Sequence, residues 1–277
     1  MASKLAQKIN GIVINADSKQ IYREIPVITA QPADNIVPHW LYGHISVKDE
    51  YSVAHWLKDV TRAINAAWDK KMTPILTGGT GFYLKALTNG LNSLPKISES
   101  TKQKVQHMLK TEKREQLHDF LVSKDPEAAS KIYPGDSYRL GRALEIIMQS
   151  NKTPTEWKKA RPEMPIPNAT FKKYVVNFAR EKIYGKINLR FINMMKQGAL
   201  EEAETLLSMN LPQNSPAMKS HGIPELIQYL QGKISLSQAT TKAQQNTRNY
   251  AKRQLTWLRK QMPDAQPVAS IKDICDI

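Results

Sequence analysis

Cysteine is almost absent. Cys275 is the only one in 277 residues, so neither an internal disulfide nor a cysteine-built metal cluster is available to hold the fold. Long apolar runs are missing too: none approaches the roughly 20 residues needed to span a bilayer, and the first residues lack the apolar core of a signal peptide. The chain is expected to be soluble and cytoplasmic. Internal repeats and low-complexity tracts are also lacking. Acidic residues are scarce beside basic ones. The 40 Lys and Arg against 25 Asp and Glu leave a net charge of +15 and a pI of about 9.7, which favours a polyanionic partner, either nucleic acid or an anionic membrane surface. With 41% hydrophobic residues the chain can bury a full core, which excludes a disordered or collagen-like polymer.

What is present is organised around residues 10–23. The β-branched run Ile12-Val13-Ile14 ends in Asn15-Ala16-Asp17-Ser18, the pattern of a buried strand emptying into a polar turn. In open α/β sheets that edge is where ligands bind. Asp17 would stand there with Ser18, Lys19, Gln20, Tyr22 and Arg23 beside it; alternatively, Asp17-Ser18 merely caps a following helix. Before it, Leu5, Ala6 and Ile9 recur at helical spacing and Asn10-Gly11 is a stop signal. A helix is predicted over 52–69, capped by Ser52, and a strand over 72–77. That strand empties into Gly78-Gly79-Thr80-Gly81 and a helix from Phe82, a layout that aims backbone N–H groups and a hydroxyl at an anion. His39 and His44 have no acidic or cysteine partner at metal-ligand spacing and are not read as ligands.

Residues 95–134 are polar and helical. Gly135-Asp136-Ser137 then caps a helix whose buried stripe is Leu140, Ala143, Leu144 and Ile147, with Arg139, Arg142 and Ile146 on a neighbouring face. Residues 151–169 read as a loop, 171–178 as a further parallel strand closing the sheet, and 180–207 as a helical region interrupted near Gly198. From Leu226 to Pro263 there is no Asp or Glu but there are seven Lys or Arg. On one continuous helix Ala251, Leu255, Leu258 and Met262 would form the buried stripe, with Tyr250 and Trp257 facing away from it. Unbalanced cations repel one another, so a polyphosphate surface explains them better than stability does.

Four segments recur in order as in one known family. Asp17-Ser18-Lys19-Gln20-Ile21-Tyr22, Gly78 through Leu87, Tyr138-Arg139-Leu140-Gly141-Arg142-Ala143-Leu144-Glu145 and Thr247 through Gln254 resemble the motifs of tRNA dimethylallyltransferases, and the resemblance covers nearly the whole chain. It implies an α/β fold with a parallel sheet like that of phosphate-loop NTPases, formed by residues 1–277 as a single unit with a helical insertion over about 96–170 that contacts tRNA. It implies transfer of a dimethylallyl group from its diphosphate to N6 of the adenosine beside the anticodon, with magnesium as cofactor and tRNA as partner, by a monomer. Asp17 would be the general base and Thr80 would line the channel where donor and base meet. The tRNA contacts implied are Asp17, Ser18, Lys19, Gln20, Lys102, Tyr138, Arg139, Leu140, Gly141, Arg142, Lys252 and Arg253. Arg190, in an Arg-x-x-x-Met-x-x-x-Gly pattern with Met194 and Gly198, and Arg248 would hold the diphosphate.

The sequence departs from the family at several places. No Gly-x-x-x-x-Gly-Lys-Ser/Thr loop occurs in it, and such a loop, with its preceding strand, belongs ahead of Met1 in the family pattern. Its roles are not carried onto Ser3 or Lys4. On this reading the first strand and the phosphate loop are absent, and the chain is expected to be unstable or only weakly active. Gln31 stands where the family has a lysine, and Ile223 where it has a tyrosine. The rival reading is therefore a catalytically impaired or inactive tRNA-binding remnant. A small-nucleotide kinase is disfavoured, since no loop holds its ATP.

Overall fold

A computed structural model describes residues 1–33, 36–212 and 215–274; Cys275 lies outside them. The backbone divides into two compact units, Met1–Thr88 with Pro165–Ile277, and Asn89–Met164.

The first unit opens with α1 (Ala2–Lys8), β1 (Gly11–Asn15), β2 (His39–Trp40), α2 (Val53–Asp69), β3 (Thr73–Thr77) and α3 (Gly81–Asn89). Asn10, at φ +49°, makes the left-handed stop between α1 and β1. β1 lies between β2 and β3, parallel to both. Every residue of β1 is buried, as a parallel strand covered on both faces requires. Its register with β3 runs from Gly11 opposite Thr73 to Asn15 opposite Thr77, so both strands end at one level. The Ser52 hydroxyl caps α2, accepting from the His55 N–H. The face of α2 carrying Trp56, Leu57, Val60 and Ile64 is buried, each side chain contributing ~1.5–3 kcal/mol.

The second unit holds α4 (Glu99–Thr111), α5 (Arg114–Lys124), α6 (Pro126–Ala129), α7 (Ser137–Ser150) and α8 (Pro154–Lys158). Its core joins Val105, Leu117, Leu121, Ala129, Leu140, Ala143 and Leu144. Buried Asp125 accepts from the Ala128 N–H and from both the N–H and hydroxyl of Thr155. Burial alone would raise its carboxyl, and these donors outweigh that and hold it low. The stretch expected as a loop contains α8, set by a capping box between Thr153 and Glu156.

The chain returns to the first unit with β4 (Tyr174–Val176), α9 (Arg180–Lys196), α10 (Ala199–Ser208), α11 (Ile223–Leu230), α12 (Leu236–Gln261) and β5 (Gln266–Val268). Here three expectations are corrected. The 171–178 strand shrinks to β4 and does not join β1–β3; it pairs in parallel with β5 as a separate two-stranded sheet. The two sheets share an apolar cluster of Leu5, Ile9, Ile75, Tyr174 and Val268. The basic C-terminal helix is two helices, parted where Gly232 takes φ +69°. The third correction concerns which face of α12 turns inward: Ala239 and Ala243 are its buried residues, Ala251, Leu255 and Leu258 are only half-buried, and Met262 is buried just past its end.

A larger core anchors the segment following Asp17. Ile21, Tyr22, Ile25 and Ile28 pack with Phe191 and Met194 of α9, Ala203 and Leu206 of α10, Leu226 of α11 and Ala243 of α12. The Glu202 carboxylate accepts from the Val27 and Ile28 N–H groups at 2.7 and 2.8 Å, and the Gln20 amide donates to the carbonyls of Thr29 and Ala30. Residues 20–31 are thereby fixed from inside the fold.

Candidate active site

No helix follows Asp17-Ser18, so the capping alternative falls away. The chain instead turns sharply. Buried Asn15 accepts from the Asp17 N–H at 2.8 Å and donates to the carbonyls of Asp17 and Leu41 at 3.0 Å. The Trp56 indole donates to the Asn15 carbonyl at 3.0 Å. Asp17 Oδ1 accepts from the Lys19 N–H at 2.8 Å, and Oδ2 from the Gly79 N–H at 3.3 Å. A carboxylate has about four lone-pair positions, so Asp17 is fixed in direction yet retains capacity for another proton donor.

The end of β3 meets this turn directly. The Ala16 N–H donates to the Thr77 carbonyl and the Thr80 N–H to the Ala16 carbonyl. The Thr80 hydroxyl accepts from the Ser18 N–H at 2.9 Å and donates to the Ser18 hydroxyl at 3.1 Å. Thr80 is thus bound to the Asp17 turn rather than standing apart from it. None of Gly78, Gly79 and Gly81 has a positive φ; their need is for space. A Cβ at Gly78 would lie 2.2 Å from the Ala16 carbonyl carbon, one at Gly79 2.2 Å from the Gln254 amide nitrogen and 3.0 Å from Asp17 Oδ2, and one at Gly81 2.2 Å from the Trp257 ring.

Those last contacts show how α12 is placed. Gln254 donates to the Gly79 carbonyl at 2.6 Å, and Gln261 accepts from Lys85 of α3 at 2.6 Å. Tyr250 packs its ring 4.4 Å from that of His221. Tyr250 and Trp257 do face away from the Ala251–Leu255–Leu258 stripe, and their face, shared with Gln254 and Gln261, is the one turned to the fold: Trp257 against Gly81 and Tyr250 against His221. The i, i+4, i+7, i+11 spacing was visible in the sequence, but it mixes polar and aromatic residues and loses to the purely apolar stripe beside it.

Charge converges on Asp17. Its carboxylate acts on Lys19, on Arg190 of α9, on His221 ahead of α11, and on Tyr250 of α12. Burial pulls the Lys19 ammonium down to about 8, with Asp17 opposing and Lys219 reinforcing the shift; its Nζ donates to the Pro216 carbonyl at 2.6 Å. Arg190 retains exposed surface, yet desolvation by its neighbours lowers its proton affinity while Asp17 raises it. His221 is held neutral-leaning by burial and by the nearby Lys19 cation. Arg190 also lines a groove of about 630 Å³ with Lys186, Asn193 and the 26–33 segment.

Lys19 gives a pH signature. The unfolded chain keeps this proton up to about 10.5 while the folded chain releases it at about 8, so the unfolded state binds more protons between those values and stability rises with pH across that window. The shift sets an upper bound of about 3 kcal/mol, which solvent at the site rim reduces to ~1–2 kcal/mol. Urea unfolding of the parent and Lys19→Met from pH 7.5 to 10 should show the parent gaining stability relative to the variant; parallel curves would remove the effect.

The other candidates are placed as follows. Arg248 donates to Asn188 Oδ1 and Gln245 Oε1, both at 2.6 Å, which commits it to α9. Lys252 and Arg253 are exposed and line a groove of about 500 Å³ with Trp257 and Lys260. In the second unit Lys102 lies 3.4 Å from Glu99, Arg139 3.3 Å from Asp136 and Arg142 2.9 Å from Glu145. Such surface pairs contribute only ~0.3–0.5 kcal/mol each. Tyr138 projects into solvent, whereas Leu140 is fully buried, as is Ile146, which leaves the arginine face. A Cβ at Gly141 would press on Leu109 at 2.9 Å. Leu140 and Gly141, implied as tRNA contacts with their neighbours, both turn into the core of this unit. Gln20 spends its amide on the 29–30 carbonyls and is a brace for the segment. Among the described residues no three His, Cys, Asp or Glu side chains converge as a metal cage, and no helix is long and apolar enough to cross a membrane.

Parallel strands with covering helices, and polar residues gathered at the carboxyl ends of β1 and β3, define an α/β protein of the phosphate-loop NTPase-like class, in which that edge is where open sheets take ligands. The model of the IPP transferase family matches residues 20–261, and the chain belongs to that family. It is 45% identical over 269 residues to the tRNA dimethylallyltransferase of Wolbachia sp. subsp. Drosophila simulans, covering 97% of this chain and 91% of that protein. Against the Ehrlichia chaffeensis tRNA dimethylallyltransferase it is 46% identical, covering 96% and 88%. A solved eukaryotic dimethylallyltransferase acting on tRNA superposes with a TM-score of 0.79 at 26% identity, covering 96% of this chain and 69% of that one.

Proposed function

We propose that this chain is an enzyme that transfers the dimethylallyl group of dimethylallyl diphosphate to N6 of the adenosine next to the anticodon in tRNA. The observation that carries the reading is the Asp17 carboxylate, fixed by two backbone N–H groups and faced by Lys19 and Arg190. The adenine amine is a poor nucleophile. As its nitrogen bonds to the allylic carbon, Asp17 takes the N6 proton, and the carbon–oxygen bond breaks so that diphosphate departs with the electron pair. Cations beside Asp17 meet the charge growing on that leaving group. Arg190 fits this task better than Arg248, whose guanidinium is occupied by Asn188 and Gln245.

Thr80 and Ser18, bonded to each other, line the same edge and belong to the channel for donor and base. To reach it the adenosine must leave the anticodon-loop stack, at a cost of a few kcal/mol. The basic residues Lys252 and Arg253, and Arg139, Arg142 and Lys102 of the second unit, supply phosphate contacts that offset this. Magnesium, on this reading, arrives on the diphosphate: the described side chains form no cage, and the ion characteristically binds through substrate phosphates. The reading places the chain as a monomer in the cytoplasm with its RNA substrate.

The test is transfer of labelled dimethylallyl from its diphosphate to unmodified tRNA with magnesium. Label on the adenosine beside the anticodon is expected. Tight tRNA binding without label would favour the non-catalytic tRNA-binding rival, and neither binding nor label would overturn both.

A further inference from the structure

Glu202 of α10 is a partly buried acid that takes no Lys or Arg as partner among the described residues. Its two oxygens go instead to two consecutive backbone N–H groups, those of Val27 and Ile28, at 2.7 and 2.8 Å. Burial pushes its carboxyl upward against the pull of these two donors. What it holds is a short helical turn. The Thr29, Ala30 and Gln31 N–H groups donate to the carbonyls of Ile25, Val27 and Pro26, which leaves the leading Val27 and Ile28 N–H groups without an acceptor inside the turn.

The other end of this turn is tied to the Asp17 segment. The Gln20 amide donates to the Thr29 and Ala30 carbonyls, and the Gln31 amide to the Tyr22 carbonyl. Gln20 directly follows Lys19, whose N–H holds Asp17 Oδ1. On the Glu202 side, α10 is joined to α9 through Gln197 and Gly198, and Met194 of α9 packs in one core with Ala203 of α10 and Ile28 of the turn. Arg190 lies one turn of α9 before Met194 and lines a groove with the 26–33 segment. Apolar packing keeps these parts close but is non-directional; a carboxylate bonded to two N–H groups fixes the turn in one place. We propose that Glu202 is a positioning residue for the transfer reaction: by holding the 25–31 turn to α10 it sets the placement of Asp17, the base for the N6 proton, relative to Arg190, the cation for the departing diphosphate. This rests on the transferase reading above and deepens it.

The experiment is a double-mutant cycle on the full chain, read as single-turnover transfer of labelled dimethylallyl to tRNA at saturating donor, well below the melting temperature of every variant. Glu202→Gln keeps one acceptor and turns its NH2 toward the other N–H, and it should slow transfer about 10–100-fold, the cost of a small misplacement at a reacting centre. Affinity for tRNA should stay within about twofold. In an Arg190→Met background the same change should cost no more than about twofold, because the pair whose placement it sets is already broken. Glu202→Asp, which keeps the charge on a shorter arm, should slow the parent and spare the Arg190→Met chain in the same way, and it carries the test if the Gln variant does not fold. Transfer at the parental rate in both Glu202 variants overturns the proposal. So does an equal loss in both backgrounds, which is the mark of a residue that only supports the fold. A parent chain that transfers no label sinks the transferase reading and this proposal together.

Discussion

Asp17→Asn should lower the rate of dimethylallyl transfer about 10²–10⁴-fold, the range for removing a positioned general base, while tRNA affinity stays within about twofold. Asn is the informative replacement because its carbonyl oxygen still accepts from the Lys19 N–H, which holds the turn at 2.8 Å. Only the long 3.3 Å bond from Gly79 is lost, so the fold should tolerate the change. A second consequence follows from electrostatics. Asp17 opposes the downward shift of Lys19, so its removal lowers that ammonium further and thins the cationic charge available at neutral pH. Single-turnover rates at pH 6.5 and 7.5 separate the two effects: loss of the base persists at both, whereas loss of Lys19 charge is relieved at the lower pH. Unchanged turnover at both would strip Asp17 of the role of base.

What was legible in the sequence is the local frame of this candidate site. Ile12-Val13-Ile14 is a buried strand because β-branched residues fit a sheet covered on both faces, and Asp17 follows within the same few residues. Gly78–Gly81 is likewise a local signal. Less legible is anything decided by distant partners. The pairing of β4 with β5 joins residues about ninety apart, and three-residue strands carry too little pattern to announce it. The orientation of α12 turned on a choice between two faces of similar amphipathicity. Gln254, Trp257 and Gln261 won because Gly79, Gly81 and Lys85 waited opposite, which the helix's own sequence does not reveal. Leu140 and Gly141 mark the opposite failing. A motif that stays together in sequence need not face one way: with 3.6 residues per turn, α7 leaves Tyr138 and Arg139 outside while Leu140 and Gly141 turn inward.

Gly78→Ala should be the most destabilising of the three glycine substitutions at the β3–α3 turn, by about 3 kcal/mol or more, with a fall in melting temperature of roughly 6–10 °C. The three differ in what the added methyl meets. At Gly79 the nearest atom is the end of the Gln254 side chain, which can swing aside at the loss of one hydrogen bond, although the methyl would also reach Asp17 at 3.0 Å. At Gly81 it is the Trp257 ring, which can tilt only with local movement of α12. At Gly78 all three nearest atoms are backbone, at 2.2, 2.4 and 2.6 Å, from Ala16 and Asp17. Relief there requires parting the ends of β1 and β3, whose Ala16 to Thr77 bond is 2.8 Å, and that movement carries Asp17 away from Gly79. Stability and transfer should therefore fall together for Gly78→Ala, whereas Gly79→Ala should lose transfer with little loss of stability, because the same methyl that displaces Gln254 crowds the carboxylate. Calorimetry and single-turnover assays on the two variants check this ordering. A Gly78→Ala chain that melts with the parent would show that the strand ends part freely, and that the carboxylate is not positioned by the close approach of these two backbones.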